Sequence, residues 1–354
     1  MLTPRLACVA SAYDLERAEL AGLLAGEPGY RVEQVWQGLW ERGARPEAMT
    51  NLPRTLRERL AAVLPPPFQE VSRSVSHDGR TVKWLWQLPG SARIEAVLMS
   101  HRGRSTVCVS SQAGCAMKCG FCATGQMGFT RHLSAGEIIE QVVTAQRAAL
   151  PRRLGNVVFM GMGEPLANYA QVWTAISQIH GRIGISARHI TISTVGVIPG
   201  IRRLAREALP VNLAVSLHAA RDSLRNQLVP VNRRYPLAAL MGACREYLAA
   251  KGRRLSFEWA LIGGVNDTAR DAAELARLAL GLPLAAHVNL IPLNPTPAYA
   301  ARGTRPAGIA AFQAELTDHG VNATVRQNRG TDINAACGQL AARTVTAGPT
   351  RVAN

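Results

Sequence analysis

Cys115, Cys119 and Cys122 form a C-x3-C-x2-C pattern inside SSQAGCAMKCGFCATG, directly after a short apolar run at 106–110. Three thiolates on one short loop suit three irons of a 4Fe-4S cluster. Because four saturate such a cluster, one iron stays open for another ligand. The competing reading is a zinc knuckle, but a structural zinc site wants a fourth ligand and usually C-x2-C pairs. The nearest later candidate for that ligand is His132. The chain carries seven cysteines, four of them between Cys108 and Cys122. An odd number, in a long chain that reads as lacking an export signal, argues for metal-binding or reactive thiols over a disulfide framework.

Further polar groups recur at one kind of address. Gly163-Glu164-Pro165 follows an apolar run at 157–160, Ser193 ends the next run, Ser216 and His218 end the one after, and Asn294 follows the run at 287–291. In barrels of alternating strands and helices, active sites are built at the C-terminal ends of the strands, so these groups are expected to converge over the cysteine loop. Singly, each has a plain alternative: the glycines beside Glu164 suit a turn, and His218 suits a hydrogen-bonded core histidine. Their shared position favours a common site.

The elements that must position them are legible from periodicity. Strands are expected at 106–110, 157–160, 189–193, 212–217, 255–262, 287–291 and 322–326, with helices near 134–148, 169–180, 199–207, 236–250, 268–279 and 306–319. This alternation implies an α/β fold, a parallel sheet with helices outside it, closed or partly closed into a (βα) barrel over 105–343. Upstream, Val32, Val35, Trp36, Leu39 and Trp40 fall at helical spacing, as do Leu56, Leu60, Val63 and Leu64. Residues 1–67 therefore read as a small helical domain ending at Pro65-Pro66-Pro67. On such a face the two tryptophans are expected in the core rather than on an RNA-stacking surface. Between the two, 68–104 reads as a β-hairpin extension: Val82, Trp84, Trp86 and Leu88 alternate, 89–92 turn, and Ile94, Ala96 and Leu98 alternate again, with Glu95 facing away from them. The tail, 344–354, lacks periodicity and is expected to fray.

With 40 Lys+Arg against 24 Asp+Glu, the formal charge is +16, which makes nucleic acid the leading partner class. Basic runs at 202–206, 225–234 and 251–254 are candidates for phosphate contacts, the alternative being a solvated face. No apolar run reaches the roughly 18 residues of a membrane span. The opening segment soon meets Asp14, Glu16 and Glu19, unlike a secretory signal, and no apolar segment precedes Cys8 as a lipoprotein signal would require, so the chain reads as cytoplasmic.

C-x3-C-x2-C with Phe121 before its last cysteine resembles the radical S-adenosylmethionine (SAM) signature. VCVSSQAGC, MGMGEPLAN, ITISTVGVIPGI, VSLHAARDSLRNQLVPVNRRYPL, GVND, HVNLIPLNP and RGTDINAACGQL follow in order. Together they resemble the RlmN/Cfr family of RNA adenine methyltransferases over about residues 13–343, which implies a partial barrel of the radical SAM type with 1–67 as an RNA-contacting accessory domain. One position departs from the family's pattern: Asn334 stands where an acidic residue is expected, close to Cys337.

The resemblance also implies roles. One 4Fe-4S cluster per chain, on Cys115, Cys119 and Cys122, would chelate SAM and split it to a 5′-deoxyadenosyl radical, with two SAM consumed per methylation. Gly163 and Glu164 would meet the SAM amine, Ser193, Ser216, Leu217 and His218 its carboxylate and ribose region, and Asn294 its adenine. Cys337 would be methylated first, lose a hydrogen to the radical and add its methylene to an adenine carbon. Cys108 would attack Cys337 and release methylated RNA as a disulfide forms, aided by a thiol pKa lowered in cationic surroundings. Glu95 would take the proton from the adduct. Adenine carbons bearing only hydrogen are too weakly nucleophilic for ordinary methyl transfer, and the base must be splayed from its stack to be reached. Cys8 and Cys244 match no step, and Cys244 is expected in the core.

Three readings follow. An RlmN-type enzyme methylates C2 of adenine in large-subunit (23S) rRNA and in tRNA beside the anticodon. A Cfr-type enzyme methylates C8 of the rRNA base and confers antibiotic resistance. A non-catalytic RNA-binding protein with a structural metal would leave Cys108, Glu95 and Cys337 idle. The segments WQGLWERG and MTNLP favour the first. An electron donor such as flavodoxin or ferredoxin is implied, and the chain is expected to be a monomer.

Overall fold

The apolar runs become strands because each is short, rich in β-branched or aromatic residues, and bounded by turn residues. The computed structural model describes residues 11–64, 66–101, 103–296 and 298–342, so Cys8, Pro65 and the tail 344–354 lie outside the described residues. In chain order the strands are β1 (Gln69–Val75), β2 (Thr81–Gln87), β3 (Arg93–His101), β4 (Arg104–Cys108), β5 (Gln112–Gly114), β6 (Phe129–His132), β7 (Leu154–Phe159), β8 (Ile190–Thr194), β9 (Asn212–Ser216), β10 (Ser256–Leu261), β11 (His287–Pro292) and β12 (Ala323–Val325). Ten form one sheet in the order β1-β2-β3-β4-β7-β8-β9-β10-β11-β12, while β5 and β6 make a separate ribbon. From β4 to β12 every pairing is parallel. Helices Ala135–Ala149, Tyr169–Gln178, Ile198–Arg206, Leu237–Lys251, Ala269–Leu280 and Pro306–Asp318 make the crossovers. Among the described residues β12 ends the sheet without meeting β4, so the barrel is partial.

The expected hairpin is three antiparallel strands, and β3 pairs with β4, so it continues the barrel sheet. Periodicity missed β1 because QEVSRSV is polar and mostly exposed. The register sets Lys83 opposite Val97 and Val97 opposite Cys108. Directly opposed residues share a face, and so do residues two apart on one strand, so Lys83, Glu95 and Cys108 all lie on one face of the sheet.

The N-terminal helices Arg17–Leu23, Tyr30–Trp40 and Arg54–Val63 pack on the barrel through a shared apolar core. Trp40 meets Tyr13 edge-on, and the Arg182 guanidinium covers Trp36 and Trp40 at 4.6 and 4.7 Å, so the pair belongs to a packed junction. Asp14 accepts from Ser134 Oγ and the Gly136 amide at the start of helix Ala135–Ala149, where the helix dipole favours a carboxylate. Cys244 is fully buried, as expected of a core thiol. No helix among the described residues is long and apolar enough to cross a membrane.

Candidate active site

The loop after β4 carries the three cysteines and is fixed by its own neighbours. The Cys115 amide donates to Gly128 O at 2.7 Å, and the Cys122 amide to Cys119 O at 3.1 Å. At Gly114 φ is +73°, and a Cβ there would sit 1.9 Å from Gly128 O, so only glycine lets the β5–β6 ribbon close under the loop. Cys115 and Cys119 are buried and Cys122 partly so. Burial first, then the Glu164 and Cys122 charges, push the Cys115 thiol up to about 12; burial and the other two sulfurs push Cys119 up as well. Sulfurs held within reach of one another's charge, in a buried loop, suit joining by a cation. Among the described residues no three His, Cys, Asp or Glu side chains converge as the ligands of a single ion do. In a 4Fe-4S cluster each thiolate meets a different iron and the sulfurs stand farther apart, so this donor set fits a cluster better than zinc. His132, the candidate fourth zinc ligand, bonds through Nδ1 to Gln112 Nε2 at 3.0 Å and does not line the pocket.

The strand-end groups do converge. One pocket is lined by Cys115, Cys119, Cys122, Gly163, Glu164, Ser193, Ser216, His218, Asn294 and Cys337. Gly163 has φ +102°, and a Cβ would lie 2.6 Å from the Gln112 side chain. Glu164 follows, with Oε1 accepting from the Leu166 amide and Oε2 from the Val195 amide, at 3.0 and 2.9 Å. Burial raises its carboxyl to about 7 despite those hydrogen bonds. Ser193 Oγ and Ser216 Oγ are 3.3 Å apart.

His218 Nδ1 accepts from the Ala260 amide at 2.9 Å, which places the ring proton on Nε2. Burial, helped by the Arg225 charge, pulls its pKa to about 3, so it meets the pocket as a neutral donor. It is thus both a hydrogen-bonded interior histidine and a pocket residue. Leu217, between Ser216 and His218, has its side chain in the core; its amide donates to Glu258 O and its carbonyl accepts from Arg225 Nε. Asn294 Nδ2 donates to Cys337 O at 3.0 Å and its Oδ1 accepts from Asn328 Nδ2 at 2.7 Å, tying it to the C-terminal loop.

Two residues escaped sequence reasoning. Glu258 on β10 lines the pocket and accepts from Ser256 Oγ and Asn289 Nδ2; burial raises its carboxyl. Its signal was present, since Phe257, Trp259 and Leu261 alternate with Glu258 and Ala260, setting an acid on the inner face. Arg225, in a run read as a candidate for phosphate contacts or a solvated face, is neither: it is fully buried and donates to the carbonyls of Val195, Ser216 and Leu217 and to Asn232 Oδ1. It braces the loops after β8 and β9 from behind and is closed to RNA.

Cys337 follows the short helical turn Thr331–Ile333 and opens onto the pocket, while the protein packed around it raises its thiol pKa. Cys108, at the end of β4, is buried close enough to feel the Cys337 charge, and both are free thiols. The expectation of a lowered Cys108 pKa is overturned: burial, reinforced by Cys337, raises it. Glu95 does not line the pocket. Its Oε1 pairs with Lys83 Nζ at 2.9 Å, and its Oε2 accepts from the Ala341 and Ala342 amides at 2.8 and 3.1 Å. Asn334 has φ +52°, a conformation asparagine tolerates better than most residues.

A partial parallel barrel, with a three-cysteine loop after its first parallel strand facing polar groups at the later strand ends, defines a radical SAM enzyme. Residues 109–278 match the Radical SAM superfamily. The crystal structure of a radical SAM methyltransferase from Sphaerobacter thermophilus superposes with a TM-score of 0.89 at 50% identity, covering 94% of this chain and 99% of that one. A Frankia casuarinae protein named probable dual-specificity RNA methyltransferase RlmN is 51% identical over 342 residues, 92% of this chain and 80% of its own. The dual-specificity RNA methyltransferase RlmN 1 of Myxococcus xanthus is 48% identical over 94% of both chains. The chain belongs to the RlmN family of dual-specificity RNA methyltransferases.

Proposed function

We propose that this protein methylates C2 of an adenine in large-subunit ribosomal RNA and in tRNA next to the anticodon, with Cys337 as the methyl carrier. The observation that carries this reading is the single pocket in which the cysteine loop, the strand-end polar groups and Cys337 face one another, with Cys108 buried beside them. When bound at Cys115, Cys119 and Cys122, a 4Fe-4S cluster supplies the electron that cleaves SAM homolytically, opening a route to a ring carbon.

The chain's own groups do the rest. Glu164 offers a buried carboxylate to the SAM amine, while Ser193, Ser216 and the Nε2–H of His218 offer donors to its carboxylate and hydroxyls. Cys337, open to the pocket, takes the first methyl as a thioether and, after losing one hydrogen, bonds through that carbon to adenine C2. Glu95, once free of the amides it now binds, takes the C2 proton as the adduct radical gives up one electron to a one-electron carrier. The Cys108 thiolate then attacks the Cys337 sulfur; the S–S bond forms as the S–C bond breaks, the electron pair of that bond stays on the methylene carbon, which takes a proton to become the methyl group of the departing base, and a thiol reductant reopens the disulfide. The reductant is a small one-electron carrier such as flavodoxin or ferredoxin, and the protein works as a cytoplasmic monomer.

The test is isomer-resolved mass spectrometry of nucleosides from ribosomal RNA and tRNA treated with the anaerobically reconstituted enzyme. Both RNAs are expected to yield 2-methyladenosine. Product at C8 alone would overturn the assignment in favour of Cfr-type chemistry.

A further inference from the structure

The segment 334–342, which carries Cys337, has almost no regular structure, yet both its ends reach the same buried ion pair. Lys83 on β2 and Glu95 on β3 sit diagonally across the antiparallel register, with side chains 5% and 1% exposed and 2.9 Å between Nζ and Oε1. Lys83 Nζ also donates to Asn334 O at 3.1 Å, three residues before Cys337. Glu95 Oε2 accepts from the Ala341 and Ala342 amides, four and five residues after it. The Glu95 carbonyl is held in turn by Ser110 Oγ at 2.6 Å. Burying two charges is costly, and as fold stabilisation alone an apolar pair of similar volume would do as well or better. What an apolar pair cannot do is hydrogen-bond the backbone at both feet of a loop.

We propose that Lys83 and Glu95 form a staple that closes the loop 334–342 at both ends and sets Cys337 over the pocket, making Lys83 a positioning residue for the methyl carrier. The bonds run to main-chain groups, so they fix where the loop lies whatever side chains it bears. The carrier role rests on the function proposed above; the staple does not, and it is read without RNA.

Hydrogen–deuterium exchange on the reconstituted protein, without RNA, tests it, with the β9 peptide as internal control. In Glu95→Leu, which removes the carboxylate that the Ala341 and Ala342 amides donate to, their exchange should quicken at least about tenfold, as expected when charge-assisted hydrogen bonds are lost, while β9 is unchanged. In Lys83→Met, which loses the bond to Asn334 O and leaves the carboxylate of Glu95 in place, kcat on RNA should fall and KM for RNA stay near the wild-type value. If a stranded charge prevents either single variant from folding, Lys83→Met/Glu95→Leu removes both charges and should loosen the same amides. Unchanged loop exchange in whichever Glu95→Leu variant folds, single or double, would overturn the proposal, as would a rise shared equally by β9, which would make the pair a support of the whole fold. Loosened amides in Glu95→Leu beside a wild type that methylates no RNA would leave the staple standing and count against the function instead.

Discussion

The two walls of the pocket are built differently. The wall formed by the cysteine loop and the ends of β7, β8 and β9 is fastened locally in space, within itself and to the barrel strands beside it: Cys122 to Cys119, Cys115 to Gly128, Glu164 to Leu166 and Val195, His218 to Ala260. The opposite wall, 330–342, is fastened to groups far away in sequence: Leu340 O to Thr124 Oγ1, Gly338 O to the Ala123 amide, Cys337 O to Asn294, and both ends to Lys83 and Glu95. A wall held by local bonds forms with its strands. A wall held by a few long-range bonds opens at lower free energy than the barrel beneath it. The cluster site should therefore stand without the methyl carrier, and the carrier loop should be the part that moves.

The largest effect expected separates the two walls outright. Cys119→Ala should abolish iron–sulfur absorbance and SAM cleavage together, whereas Cys337→Ala should keep the full absorbance and SAM binding yet methylate no RNA. Cluster loss in Cys337→Ala would mean that the walls are one unit and break the comparison.

A second substitution acts where the walls meet. Cys108 stands on β4 beside the carrier loop, and truncating so small a side chain should cost only about 1–2 kcal/mol of stability. If Cys108 frees the product, Cys108→Ala should assemble its cluster and attack RNA but remain joined to it through Cys337. On a denaturing gel this is a ribonuclease-sensitive shift that disappears in Cys108→Ala/Cys337→Ala. Normal turnover by Cys108→Ala would remove it from the reaction. Because burial raises its thiol pKa, release should also quicken with rising pH.

The same contrast explains what could be read from the sequence. The barrel was legible because buried parallel strands announce themselves as apolar runs between helical patterns, and Cys115, Cys119 and Cys122 because their spacing on one loop is itself the chemistry. Strands β5 and β6, of three and four residues, are too short for periodicity to register. Lys83 carries no signal of its own in the sequence; its partners are 12 residues away at Glu95 and 251 residues away at Asn334, a pairing no local pattern encodes. Arg225 was misread for the same reason, since charge is visible in sequence and burial behind β8 and β9 is not. Cys337 was placed by family resemblance alone, its local sequence being unremarkable.

The smallest effect expected is a pH dependence confined to the local wall. Glu164 is buried, and burial holds its carboxyl near 7 in the ligand-free protein against an ordinary value of 4.5. The SAM amine donates hydrogen bonds that an ionised carboxylate accepts far better than a protonated one. Affinity should therefore be flat above about pH 8 and weaken toward tenfold per pH unit below 7. Stability runs the other way. A folded-state pKa raised above the unfolded value contributes stability that is fully present below pH 4.5 and lost as pH rises through 7, about 3 kcal/mol in all. Glu164→Gln carries no such charge, so at pH 8 the ligand-free variant should melt higher than the wild type while binding SAM weakly and without pH dependence. Calorimetric SAM titrations and thermal melts between pH 5.5 and 8.5, roughly spanning that window, measure both. A wild-type affinity that stays level across the range would show that Glu164 is not the group meeting the amine, and would move that contact off the local wall.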